Sequence, residues 1–314
     1  ASSCALLLAL LMSAGTIALA DGWKSSTTRP GTTGDGTNVS STGPATVSSG
    51  CLPRWIAGDG IPGLNGAANA LVAWQADDET PLLVAAGRFT GASTVPASRI
   101  ATWDGEAWAA MGGGVNAEVH ALTVFGGDII AGGDFTLAGS GAESVSASRI
   151  ARWDGTAWHA LGAGMNGAVY ALATFNGDLI AGGAFTMAGG AEANFIARWD
   201  GSSWSALGDG FTGAVHALTV HEGRLVAGGD FASGDESGPT RIASWDDALQ
   251  AWVPIGPASG MNQAVRALEV HDGFLVAGGS FTMPGGGAAN RIAPWAGTSW
   301  QAKGTLPSDM PGGG

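Results

Sequence analysis

Five polar side chains of four kinds recur at one place in a repeated frame: Asn69, His120, Tyr170, His216 and Arg266 each occupy X in Ala-Val-X-Ala-Leu or a near copy of it. An amide, two imidazoles, a phenol and a guanidinium can donate, accept, stack and carry charge, which is the chemistry of holding a small polar ligand or a partner's side chain. The plainer alternative is that they fill a channel and bond to one another and to water. A second variable position follows a small-residue pair and holds Arg88, Asp134, Ala184, Asp230 and Ser280. Asp230, with Asp235 and Glu236 in the loop beyond, offers the hard oxygen donors that calcium takes, but without a DxDxDG spacing; solvated loop carboxylates are the competing reading. A metal shared by His120 and His216 would lack a third ligand.

Catalytic signatures are missing from the chain. A copper-radical oxidase of the galactose oxidase type needs two tyrosines, and Tyr170 is the only one. GxSxG, HExxH, Walker and CxxC motifs do not occur, and the Trp-Asp-Gly turns lack the Ser-x-Asp-x-Gly-x-x-Trp spacing of a sialidase box. Neither a catalytic residue nor a cofactor is expected.

The recurrence of X follows from recurrence of the whole chain. The stretch Leu179 to Gly208, LIAGGAFTMAGGAEANFIARWDGSSWSALG, is written about five times, and its first tryptophan falls at Trp103, Trp153, Trp199, Trp245 and Trp295. The period is therefore 46 or 50 residues, a length suited to four-stranded propeller blades, and no amphipathic helical periodicity competes. Each copy reads as an apolar first strand, a hairpin dipeptide (Asn176-Gly177, Glu222-Gly223, Asp272-Gly273), a second strand apolar on both faces, a Gly/Ala/Ser loop, a third strand ending in tryptophan, and a short outer strand with a second tryptophan. Positions that stay fixed, such as the glycine pair, the Phe after it and both tryptophans, are expected to serve the blade. The varying X would form a ring on the innermost strands, lining a central channel or its mouth. Arg99, Arg149, Arg241 and Arg291 begin the third strand, and Asp104, Asp154, Asp200 and Asp246 follow its tryptophan; these regular charges are expected to be ion pairs or turn caps.

The order of apolar strand, Gly-Gly, an aromatic before Asp-Gly, then a tryptophan about five residues on resembles the kelch motif. The form IAGGxFT…IARWDGxxWxALGxG is more similar still to the delta-sixty type propeller repeats of bacterial secreted proteins and to the repeats of the fungal cortical cell-polarity marker. The resemblance runs from about Trp55 to Gly304 and implies an all-β propeller of four-stranded antiparallel blades. It implies no one activity, because propellers host unrelated functions.

Six outer-strand tryptophans (Trp55, Trp108, Trp158, Trp204, Trp252, Trp300) accompany five sets of inner strands. Five blades are expected, or six if the chain is truncated, with the segment at Trp55 either pairing beside the last blade or belonging to a further one. Residues 1–20 are apolar and end in Ala18-Leu19-Ala20, as in a secretory signal, with an uncleaved anchor as the rival reading. Residues 21–50 are a Ser/Thr/Gly-rich linker expected to be disordered, and 51–314 the propeller, with repeats at about 67–112, 117–162, 167–208, 213–256 and 263–304. Cys4 leaves with such a signal, so Cys51 remains without an internal disulfide partner. A net charge of −13, from 26 acidic and 13 basic residues, excludes nucleic acid and anionic membrane surfaces as partners. The expectation is a secreted or cell-surface, non-catalytic binding module for a protein or glycan, with no membrane insertion after signal cleavage. Its alternatives are a propeller-based extracellular enzyme of the lyase or glycosidase type and a purely structural segment of a larger surface protein.

Overall fold

The computed structural model describes residues 63–76, 80–231, 241–256, 260–282 and 291–301. The expected signal, linker and Trp55 segment lie outside them, as do Cys4, Cys51, Asp235 and Glu236. Among the described residues every regular element but one is a strand, the exception being a single 3-10 turn at Gly141–Glu143. No described helix is long and apolar enough to cross a membrane.

The longer strands form five antiparallel blades in chain order, and short two-stranded ribbons stand apart from them at Gly91–Ala92 with Val95–Pro96, Leu137–Ala138 with Val145–Ser146, and Met187–Ala188 with Ala191–Glu192. Blade 1 pairs Ala68–Trp74, Leu82–Gly87, Ile100–Trp103 and Trp108–Ala110. Blade 2 pairs Val119–Phe125, Asp128–Gly133, Ile150–Trp153 and Trp158–Ala160, and blade 3 Val169–Phe175, Asp178–Gly183, Ile196–Trp199 and Trp204–Ala206. Blade 4 is built from Val215–His221, Arg224–Gly229, Ile242–Asp246 and Ala251–Pro254. In blade 5, Val265–His271, Phe274–Gly279 and Ile292–Pro294 pair, and a lone bridge between Trp295 and Trp300 stands in place of the fourth strand. The first strands of consecutive blades lie side by side in series, which makes them the innermost strands.

Local chemistry explains the tight returns. Asn176 and Gly177 both have positive φ, 50° and 85°, as a two-residue hairpin matched to strand twist requires, and Glu222-Gly223 and Asp272-Gly273 repeat the geometry. The third strand starts one residue later than the sequence suggests. Arg99, Arg149, Arg241 and Arg291, and Phe195 in blade 3, precede it with φ of 66–72°. Each donates its N–H to the carbonyl of the buried Phe and accepts the N–H of the second-strand glycine, so the left-handed residue is locked from both sides.

The core is divided into seams between blades. Val84, Ala86 and Ile100 of blade 1 cluster with Val119, Ile129 and Trp158 of blade 2; Ile130 and Ile150 with Val169 and Leu179; Ile180 and Ile196 with Val215 and Leu225; Val226 and Ile242 with Val265 and Leu275. Each second strand thus sends alternate residues to opposite neighbours, which is why it reads as apolar on both faces. Glycine is required where the next blade closes in. A Cβ on Gly132 would stand 2.5 Å from Cγ1 of Val169, one on Gly182 2.5 Å from Val215, and one on Gly228 2.6 Å from Val265. The paired tryptophans face each other across the third and fourth strands, with ring centroids 5.1–5.4 Å apart. Trp204, Trp252 and Trp300 also donate their indole N–H back to Leu161, Leu207 and Ile255 of the preceding blade.

Candidate functional site

In every blade the pairing of the first two strands slips by one residue at the same place. Val169 faces Gly183 and Ala171 faces Gly182, which leaves Tyr170 outside the ladder. The same slip skips Asn69, His120, His216 and Arg266. The variable X is therefore the extra residue of a β-bulge, a device that re-aims a side chain and frees it from its neighbour's geometry. The bulge depends on the glycine opposite. A Cβ on Gly87, Gly133, Gly183, Gly229 or Gly279 would stand 2.0–2.1 Å from the carbonyl oxygen two residues before X. That carbonyl instead accepts the N–H of the residue after the glycine: Ala67 from Arg88, Glu118 from Asp134, Ala168 from Ala184, Ala214 from Asp230 and Ala264 from Ser280, at 2.8–2.9 Å.

This hydrogen bond places the second variable position beside X, so the two sets that look separate in the sequence are one surface. His120 Nε2 lies 2.8 Å from Asp134 Oδ2, and His216 Nε2 2.8 Å from Asp230 Oδ2. Tyr170, whose companion is Ala184, stands between the two imidazoles instead. It meets the His120 ring edge-on at 5.2 Å and stacks on the His216 ring at 5.3 Å and 24°. Asn69 Nδ2 donates across the seam to Glu118 Oε1 and to the Val119 carbonyl, both at 2.9 Å. Arg88 Nε lies 3.3 Å from Glu118 Oε2. Arg149 donates to the Asp134 carbonyl at 2.5 Å, and Arg241 Nη1 lies 4.0 Å from Asp230 Oδ1. Arg266 is exposed, and with the described residues it makes no side-chain hydrogen bond or ion pair.

The expected ring is therefore a row, Asn69, His120, Tyr170, His216 and Arg266 in that order, with both end residues exposed. Four of the five are tied together. Glu118 was missed in the sequence, although the signal exists: it stands where the other copies have Ala67, Ala168, Ala214 and Ala264. The pairing of His with Asp in copies two and four, and of Tyr with Ala in copy three, was equally available.

Among the described residues one group brings metal-ligating atoms close together. Glu118, His120 and Asp134 offer ligand atoms within 4.8 Å of one another. Yet His120 faces Asp134 with Nε2 and Glu118 with Nδ1, at 3.7 Å, and Glu118 is already held by Asn69 and Arg88. Asp230, the described member of the calcium candidates, is occupied by His216 and Arg241.

The aspartates after the tryptophans are turn caps. Asp154 Oδ1 accepts the N–H groups of Ala157 and Thr156 and the Thr156 hydroxyl, and Asp200 the corresponding groups of Ser203 and Ser202. These bonds favour the carboxylate, chiefly through the Ala157 and Ser203 amides, and hold both groups well below the usual range. Two surface clefts of about 330 and 250 Å³ are lined by Glu192, Asn194 and Asp209 in one case and by His221, Arg224 and Trp295 in the other. Neither contains a residue of the row, which sits on open surface.

No curated protein matches the chain. Among solved structures, the computationally designed Ika8 protein is 19% identical, with a TM-score of 0.45; the match covers 75% of this chain, which spans 61% of the length of Ika8. The computationally designed Ika4 protein is also 19% identical, with a TM-score of 0.36 and coverage of 60% and 98%. The family model for the Rax2 C-terminal beta propeller domain matches residues 151–310, half of the chain and most of blades 2 to 5. The chain belongs to the Rax2 C-terminal beta propeller domain family.

Proposed function

We propose that this chain is a secreted or cell-surface binding module that engages a protein or glycan through the bulge row. The observation behind it is the bulge itself. One residue per blade is released from the ladder by a backbone device that recurs in all five blades, and that residue changes chemistry from copy to copy. Tyr170, flanked by two imidazoles whose outer nitrogens are engaged by aspartates, offers an aromatic face rimmed by acceptors, and Arg266 offers an exposed cation. An open row suits a polymer or a protein side chain better than a small molecule enclosed in a pocket. The net charge of −13 disfavours nucleic acid and anionic lipid.

The test is a glycan-array and cell-wall-polymer screen of the purified chain. The triple variant His120→Ala, Tyr170→Ala, Arg266→Ala is then measured against every hit. A loss of binding of at least about tenfold, roughly 1.4 kcal/mol, with an unchanged melting temperature, is expected. Undiminished binding by the triple variant would falsify the assignment of the row.

A further inference from the structure

We propose that the two end faces of the blade series are the two halves of one more blade-to-blade seam, and that a second copy of this chain docks there head to tail. The internal seams define what such a face needs. The first-strand Val and Leu of each later blade close on the second-strand glycine of the blade before: Val169 and Leu172 on Gly132, Val215 and Leu218 on Gly182, Val265 and Leu268 on Gly228. The third-strand isoleucine of the earlier blade completes the socket, and Ile100, Ile150, Ile196 and Ile242 are at most 1% exposed.

Blade 5 presents the same socket, and no described residue fills it. Ile292 is 42% exposed. Gly278 would carry a Cβ that meets only Ala267 and Arg291 of its own blade among the described residues. Val276 is partly open where its counterparts Val84, Ile130, Ile180 and Val226 are buried, and Ala267 is exposed where Ala121, Ala171 and Ala217 are buried. The opposite face of the same strand is closed, since Leu275 and Ala277 are buried in the seam with blade 4. Blade 1 presents the matching knob: Ala68 is exposed where the four later copies bury a valine, and Leu71 is 37% exposed.

The occupant follows from this pairing. The socket is shaped for a first strand of the Ala-Val-X-Ala-Leu kind, and the unoccupied strand of that kind among the described residues is Ala68–Trp74. The polar rim agrees. Across the first seam Asn69 donates to the Val119 carbonyl, and Arg266, exposed in the equivalent position of blade 5, has donors that no described residue takes up and that can reach the second copy's Ala68 carbonyl. Such an interface is heterologous, so it closes when the turn per copy divides a full circle.

Light scattering and sedimentation of the full chain at micromolar concentration test this. The expected result is a closed oligomer, with a dimer as the smallest form. Ile292→Glu, which spoils the socket, and Leu71→Arg, which spoils the knob, should each cut the mass to that of a monomer, while circular dichroism stays unchanged because both sites are already open. Mixing the two variants should restore a dimer held by one intact seam, because each retains the half that the other lacks. A wild-type monomer, an oligomer indifferent to both substitutions, or two monomeric variants that fail to recombine would each overturn the proposal.

Discussion

Phe185 and Tyr170 are aromatic side chains of one blade, Tyr170 on its first strand and Phe185 just beyond the end of the second, and the fold treats them in opposite ways. Phe185 is fully buried and has an equivalent in every copy, Phe89, Phe135, Phe231 and Phe281. Tyr170 stands half-exposed on a bulge, and its equivalents are an asparagine, two histidines and an arginine. The difference is one of geometry before it is one of function. At Phe185 the seam leaves a single shape to be filled, and close-packed interiors tolerate little change of volume. At Tyr170 the ladder has been broken, so the backbone is satisfied whatever side chain is present.

The largest effect that can break this comparison is Phe185→Ala. Truncation of a fully buried Phe should cost about 3–5 kcal/mol in denaturant unfolding; a loss below about 1 kcal/mol would mean that the seam is not packed as described. Gly183→Ala comes next. Its Cβ would lie 2.0 Å from the Ala168 carbonyl, so the bulge must open, at a cost of about 2–3 kcal/mol. Trp204→Phe keeps most of the ring but loses the bond to the Leu161 carbonyl, for about 1 kcal/mol, with a weaker tie between blades 2 and 3. Tyr170→Ala should change stability by less than any of these while removing the aromatic face of the row, so that stability and binding separate at one residue.

A pH series sharpens the same contrast on the outer turns. Asp154 and Asp200 have folded pKa values below the ordinary 3.8. Their contribution is present above that value and is lost as pH falls from about 3.8 through the lower folded pKa, because the unfolded state then binds protons first. Asp200→Asn should therefore lower stability most above about pH 3.8 and least in strong acid, which flattens the acid limb of the profile. An acid limb identical to wild type would remove the caps from the account.

Much of this architecture was legible because it rests on local rules repeated five times. Asn-Gly and Asp-Gly dipeptides mark hairpins by their tolerance of positive φ, and the recurrence of Trp153 and Trp158 marks the outer pair. The bulge was not legible, because register is a relation between two strands and no residue announces it alone. Reading Val119-His120-Ala121 as regular alternation puts His120 on the wrong face of its strand and hides its contact with Asp134. The cross-seam ties of Glu118 were hidden for the same reason: its partners Asn69 and Arg88 belong to another blade. The open sockets at the ends follow only from knowing which neighbour each strand face meets.

The most direct measurement is a saturation substitution scan of the chain read out by protease resistance of the folded state. Positions 69, 120, 170, 216 and 266 should accept most side chains, while positions 87, 133, 183, 229 and 279 should accept glycine alone. Bulge positions as intolerant as the glycines facing them would contradict the separation of scaffold from site.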